Sequence, residues 1–456
     1  MVEPIAFILA SRLPLDSLAE PSFPLALAVG RLNRDPKPHP RFYLSLPCLQ
    51  PLPRMSAPSF LHPALATVVT PALAYNEARL RANAEQIQTL GQRHGFTPLL
   101  AMKASYAGLG VLSEVPGLIP EVGSLGELRL AQKLFSGVPA HGFFVAIVEE
   151  EWEKIAQGVG HLSFNSLSQA AQFGPRAAAA GIAAAMRVNP LVQVSSHSDY
   201  DAGALGCRFG VPLAELPQTL PDYIAGLHAH VLCENGAADL AQVVTVLLKE
   251  GGHWLSQVQY LNLGGGHLMT AEDYEDERLG QVIADLKQAH PHLELFLEPG
   301  AAWFWEAGQL VTTVRDIVRP SGIATAIIDC SFRAHLNDFL IGSLLADLPL
   351  TITGASYVSP ETYGQLSAEA RAHTYRIGGL SCATCDSKEY YQFEQPLAVG
   401  DRLVMENMGH YVDVTYSWFN GLPPPAIYRL TETAATLERQ HPYREFLQAT
   451  LPMQGL

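Results

Sequence analysis

Cationic side chains are scarce in this chain: 29 lysines and arginines stand against 44 aspartates and glutamates in 456 residues, a net charge of −15. That balance argues against nucleic acid or an anionic membrane as a partner and suits a cationic substrate. Long apolar runs are missing too. The richest, Ala177 to Met186, holds ten residues, well short of the ~18–20 that a membrane span needs. Cysteine is sparse, at positions 48, 207, 233, 330, 382 and 385. No disulfide framework is expected, and a reducing, cytoplasmic setting is the default. Ile5 to Ala10 is too short for a signal-peptide core, and no basic residue precedes it.

What the chain does have is an ordinary globular composition, 48% hydrophobic and 16% charged, with length enough for two domains. Residues 1–63 stand apart, holding 12 of the 33 prolines. Proline at that density denies helix and interior strand, so this segment is expected to be a poorly ordered leader, with Met55 as an alternative start. From Val68 a strand-like run to Tyr75 precedes a helix capped by Asn76, with Leu80, Ile87 and Leu90 on one face. Short apolar segments then alternate with helical stretches, at 99–102, 119–122, 142–146, 162–165, 184–188, 226–231, 260–263 and 293–297. Eight strand-then-helix units predict a parallel (β/α)8 barrel of the TIM type over 76–310, with a doubly wound sheet as the runner-up. Beyond residue 310 the long helices stop. Val311–Val314, Ala324–Ile328, Thr374–Ile377, Arg402–Met405 and Tyr411–Thr415 read as strands of a β domain spanning 311–430, joined by 64–75. Residues 431–456 read as a closing helix and tail. There is no internal repeat beyond the βα rhythm.

In such a barrel, function gathers at the C-terminal strand ends. The first end carries Lys103, after Leu99-Leu100-Ala101-Met102. A lysine there is expensive to bury charged, and burial into a cavity would lower its pKa and suit it to Schiff-base chemistry. A plain strand-edge lysine is the bland alternative. The second end carries Glu121, the fifth Arg187, the sixth His228-Ala229-His230, the seventh Gly264-Gly265-Gly266 and the eighth Glu298. Three glycines let backbone N–H groups converge on an anion such as phosphate, although a tight turn explains them equally well. Alternation along a strand lets only one of His228 and His230 point inward, a poor metal site, and no metal is expected. A buried Glu298 needs a cation or donor. An imine-forming lysine, an anion cradle, a flat side chain and a carboxylate for a ring nitrogen together match pyridoxal phosphate. In the β domain, Cys382-Ala-Thr-Cys385 lacks the second pair that a zinc site or redox reading wants, and Tyr411 reads equally well as a strand aromatic.

Taken in order, Ala-Met-Lys-Ala-Ser (101–105), Glu-Val-Gly-Ser-Leu-Gly-Glu-Leu (121–128), Arg-Val-Asn-Pro (187–190) and Gly-Leu-His-Ala-His-Val-Leu-Cys-Glu (226–234) lead into Leu-Gly-Gly-Gly-His (263–267) and Glu-Pro-Gly (298–300). Asp-Cys-Ser-Phe-Arg-Ala-His (329–335), Gly-Gly-Leu-Ser-Cys (378–382), Gly-His-Tyr (409–411) and Phe-Asn-Gly (419–421) follow. Over residues 65–430 this set resembles the fold-type III pyridoxal-phosphate decarboxylases, the ornithine/diaminopimelate decarboxylase superfamily with its alanine racemase-like fold. Within it, the carboxynorspermidine decarboxylase branch is the most similar. The resemblance implies decarboxylation of a carboxylated polyamine in spermidine-type biosynthesis by a homodimer with active sites at its interface. Lys103 would be the Schiff-base lysine, Glu298 the partner of the pyridine nitrogen and His230 the stacking ring. Gly264, Gly265, Gly266 and Tyr411 would hold the phosphate, with Arg187 nearby. Cys382 would protonate Cα from the other subunit, and Glu121, Asp338 and Asp386 would bind substrate. Ala301 stands where much of the superfamily has arginine, which favours the polyamine branch. Ile341 stands where that branch has glutamate, which leaves another diamino acid or modified amino acid as an alternative substrate. A racemase is disfavoured by Glu298, and a non-catalytic cofactor-binding protein by the β domain.

Overall fold

The computed structural model describes residues 62–194, 200–340 and 349–451, all within the compact unit Pro58–Leu456. The leader expected over 1–63 falls almost wholly outside these residues, as does Ile341.

In chain order the strands are β1 (Ala72–Asn76), β2 (Thr97–Ala101), β3 (Ile119–Val122), β4 (Ala140–Phe144), β5 (Val159–Phe164), β6 (Ala183–Asn189), β7 (Val211–Pro212), β8 (Ile224–His228), β9 (Tyr260–Asn262) and β10 (Glu294–Leu297). Then come β11 (Gly308–Val318), β12 (Thr325–Ile328), β13 (Ala355–Val358), β14 (Thr374–Gly378), β15 (Ser387–Phe393), β16 (Arg402–Met405), β17 (Ala426–Leu430) and β18 (Ala435–Arg439). Neighbours from β2 through β6 pair in parallel, followed by β8, β9 and β10, and β10 pairs back onto β2. Eight parallel strands therefore close a barrel, with β7 an extra ribbon on β6.

Local chemistry explains the rhythm. Helix Glu77–His94 begins where Asn76 Oδ1 accepts the Arg79 N–H at 3.0 Å and ends at Gly95, whose φ of 81° only glycine adopts without strain. Ser124 and Ser166 cap the helices after β3 and β5 in the same way. The strands are largely buried on both faces, as expected when helices cover the outside and side chains fill the inside. Leu99, Ala185, Tyr260 and Phe296 form one buried cluster drawn from four strands. The His141 and His161 rings stack beside it at 4.0 Å.

The second sheet has the order β13-β15-β14-β12-β11-β1-β17-β18, with β16 also on β11. β1 lies between antiparallel β11 and parallel β17, so the first strand and the late chain are woven together before the barrel begins. Three expectations change here. Tyr411–Thr415 is not a strand but irregular backbone, entered through a φ of 54° at Tyr411. The closing segment starts with a strand, β18, before helix Tyr443–Thr450. The sixth barrel strand stops at His228, so strand alternation does not extend to His230.

Candidate active site

Lys103 sits in a single tight turn, Met102–Ala104, that follows β2. Its ammonium donates to Glu121 Oε2 at 2.9 Å, and its side chain stays 42% accessible because it faces a cavity. The expected lowering of its pKa is reversed. Burial pulls it down, but the charges of Glu121, Glu298 and Tyr411 outweigh burial, and the net direction is up. Desolvation alone was legible from the strand; the two carboxylates that oppose it come from β3 and β10. Burial in turn pushes Glu121 up to about 7, against the pull of Lys103. The proton of the pair therefore rests on Lys103, with Glu121 as its acceptor.

The turn is pinned from the other domain. Asp413 accepts from Ser105 Oγ at 2.8 Å, Tyr75 Oη at 3.1 Å, Tyr106 N–H at 2.9 Å and Ala107 N–H at 2.8 Å. Two residues earlier, the Tyr411 N–H donates to Ala104 O at 2.6 Å. Both residues flanking this β-domain turn thus grip the lysine segment.

Glu298, just past β10, is buried with three polar neighbours. Asn262 Nδ2 donates to its Oε1 at 2.6 Å, while His228 Nε2 and His230 Nδ1 lie 3.4 and 3.3 Å from Oε2. Burial raises its pKa, but His228, His230 and Lys103 together hold it well below the usual carboxylate range. Both histidines reach Glu298, contrary to the one-inward expectation, because the strand ends between them. Burial drives His230 down to about 4, so its imidazole is neutral. Its Nδ1 meets the Gly265 N–H at 3.2 Å as well as Glu298. A neutral ring satisfies only one of the two, as acceptor or as donor.

Close packing dictates the three glycines. A Cβ on Gly264 would lie 2.5 Å from His230 Cβ, on Gly265 2.1 Å from Glu298 O, and on Gly266 2.3 Å from Leu232 O. The Gly264 N–H is engaged by Asn262 Oδ1 at 2.8 Å. Two of the turn's three N–H donors, those of Gly264 and Gly265, are thus turned to internal partners.

These elements converge on a cavity of ≈ 190 Å³ whose wall includes Lys103, His230, Gly266, Glu298, Asp338 and Tyr411, together with Tyr200, Glu234, His267 and Ala301. Burial pushes the Tyr411 phenol up to about 12, so it is a neutral donor. Arg187 is not on this wall. Its guanidinium lies over Phe143 (4.2 Å) and Phe209 (4.7 Å) and donates to His230 O at 2.9 Å, tying the backbone of His230 in place. Cys382 and Asp386 are also outside the cavity. Asp386 accepts from Ser331 Oγ (2.9 Å), Arg333 N–H (3.1 Å) and Ser381 N–H (2.8 Å), which anchors the loop bearing Cys382. Cys382 itself is exposed, as is Cys385, and both are free.

Sequence reasoning passed over His228, Asn262, Asp413 and Glu234. Asn262 had a local signal, an amide two residues before a glycine. Asp413 had none, since its partners lie more than 300 residues away. His228, His230 and Glu298 offer donor atoms within 4.8 Å of one another, a set that a metal ion can also use. The neighbouring lysine, anion cradle and flat neutral ring have no part in such a site. They do fit pyridoxal phosphate, whose ring nitrogen an ionised carboxylate such as Glu298 would keep protonated.

No protein-family model matches the chain. It is 33% identical over 371 residues to the carboxyaminopropylagmatine decarboxylase of Synechocystis, covering 80% of this chain and 91% of that one. It is 28% identical over 385 residues to the carboxynorspermidine/carboxyspermidine decarboxylase of Campylobacter jejuni, covering 83% and 98%. The crystal structure of C. jejuni carboxynorspermidine decarboxylase complexed with norspermidine superposes with a TM-score of 0.74 at 26% identity, covering 84% of this chain and all of that one.

Proposed function

The chain belongs to the family of carboxyaminopropylagmatine and carboxynorspermidine decarboxylases, and from that premise we propose that it decarboxylates a carboxylated polyamine with pyridoxal phosphate held on Lys103. Members of this decarboxylase fold generally use that cofactor. The observation that carries the reading is the shared cavity: Lys103 Nζ faces it from one strand end, and Glu298, kept ionised by His228, His230 and Lys103, faces it from another.

Bound there, pyridoxal phosphate supplies the electron sink that stabilises the carbanion left when CO2 departs. The residues supply the rest. Lys103 would hold the aldehyde carbon, and Glu121, which accepts from Nζ at 2.9 Å, would orient it. Glu298 would keep the ring nitrogen protonated. His230 would stack on the ring once it turns from the Gly265 N–H, which frees that donor for the phosphate beside Gly264, Gly266 and the Tyr411 hydroxyl. Arg187 would support His230. Glu121 and Asp338 would meet the substrate's amines.

Cys382 is exposed and off the cavity wall, so it would deliver the proton to Cα from a second copy of the chain, in a homodimer. Asp386 would act through the loop it anchors. Five free cysteines among the described residues suit a reducing cytoplasm, and no described helix is long and apolar enough to cross a membrane.

The test is twofold. Purified protein should show the visible absorbance of a lysine-bound pyridoxal, removed by borohydride. It should also release CO2 from carboxyaminopropylagmatine, carboxynorspermidine or carboxyspermidine, and this should survive chelation of metals. Release of CO2 only from ornithine or diaminopimelate would transfer the assignment to another diamino acid. Loss of activity on chelation would favour the metal reading of His228, His230 and Glu298.

A further inference from the structure

Glu234 lines the same cavity as Lys103 and Asp338. Among the described residues, no hydrogen bond or ion pair engages its carboxylate. The other carboxylates here are committed: Glu298 to Asn262 and two histidines, Glu121 to Lys103. Glu234 occupies a left-handed backbone position, φ 52°, that a non-glycine residue adopts at a cost. Bonds on either side hold it there. Cys233 N–H donates to Asn235 Oδ1 at 2.8 Å, and Asn235 N–H donates to Gly266 O at 2.7 Å. The same link ties Glu234 to the glycine turn, so its position is set relative to the cofactor cradle.

Burial, and then the charge of Asp338, push the Glu234 carboxyl upward. Burial likewise raises the neighbouring Cys233 thiol to about 12, with Glu234 and Asp338 adding to it. Two acids therefore share one low-dielectric space, and among the described wall residues Lys103 is the one lysine or arginine. A carboxylate in that setting is stable as an ion only with a cation beside it. Lys103 cannot be that cation, because its ammonium is taken by Glu121.

We infer that Glu234 is a specificity-determining residue, receiving the distal cation of the substrate, an ammonium or a guanidinium, while the carboxylate-bearing end reacts at Lys103. The inference rests on the proposed function and goes beyond it by naming what reads the tail. A carboxylate accepts from either cation, with two parallel bonds available to a guanidinium.

The experiment measures kcat and KM on the cofactor-loaded enzyme for three compounds: carboxyaminopropylagmatine, carboxynorspermidine, and an analogue of the latter whose terminal amine is replaced by methyl. Wild type is compared with Glu234→Gln and Glu234→Asp. The expected result is a KM for the cationic compounds roughly 10- to 100-fold higher in Glu234→Gln, with kcat changed less. The preference for a cationic over a methyl-ended tail should shrink by the same factor, and Glu234→Asp should restore part of it. Whichever cation loses more on substitution identifies the tail that Glu234 reads. If wild type turns the compounds over and Glu234→Gln keeps the full preference, Glu234 has no such role. If wild type turns over none of them, the proposed substrate class falls and this inference with it. Should Glu234→Gln fail to fold, the preference ratio of Glu234→Asp decides, since a purely structural role would leave that ratio unmoved.

Discussion

Ser105 Oγ donates to Asp413 Oδ1 at 2.8 Å, joining the residue two past the cavity lysine to the β domain, 308 positions away in sequence. Asp413 also holds Tyr75 and the N–H groups of Tyr106 and Ala107, and Tyr411 holds Ala104. The lysine turn is short and carries few bonds of its own. Its position is therefore set by the domain that packs on it.

Asp413→Ala should strand several buried donors at once. A loss of about 3 kcal/mol or more is expected, since each unsatisfied buried group costs roughly 1–3 kcal/mol. Chemical denaturation measures it. Asp413→Asn keeps the shape and part of the acceptor capacity, and should fall between Asp413→Ala and wild type. Both variants should bind pyridoxal phosphate more weakly, read by absorbance titration.

Lys103→Ala should lack the borohydride-sensitive absorbance band and all measurable CO2 release, while retaining a wild-type melting transition without cofactor. A retained band would move the cofactor lysine elsewhere.

Asn262→Asp places a second carboxylate against Glu298, at the site of the present 2.6 Å bond. Two acids that close cannot both ionise, so one is protonated and the hold on a ring nitrogen weakens. A fall in kcat of roughly 100-fold or more is expected, with a shifted pH profile. An unchanged profile would show that Glu298 does not set the ring's protonation.

His410 is buried, stacks on Trp305 at 5.7 Å and has no hydrogen bond to either ring nitrogen. Burial lowers its pKa from 6.5 to about 4. The unfolded chain therefore takes up this proton first as pH falls. The stabilising contribution of the neutral form is present above pH 6.5 and is lost progressively down to about pH 4. The slope is about 1.4 kcal/mol per pH unit for one such group. His410→Phe should flatten the pH dependence of unfolding between pH 6.5 and 4 by that amount, compared in urea titrations of both proteins.

Cys382→Ala and Lys103→Ala should each be nearly inactive alone, and mixing and refolding them together should restore partial CO2 release if Cys382 serves a partner's cavity. A mixture as inactive as its components would place Cys382 outside the reaction.

The chain's alternating apolar segments and helix caps determined the barrel, because parallel strands covered by helices must be apolar on both faces and the caps are local. Lys103, Glu121, His230, Gly266 and Glu298 were legible as candidates because strand ends and a run of glycines mark them in one dimension, whereas Tyr411 was named by the family resemblance alone. Tertiary structure alone decided the rest. The ionisation of Lys103 depends on carboxylates from two other strands. The inward turn of His228 follows from where β8 ends, and the roles of Asp413 and Glu234 follow from contacts between segments far apart in sequence. Electrostatic and hydrogen-bonding fates are properties of neighbours in space, and spacing along the chain records those neighbours only where the turn between them is short.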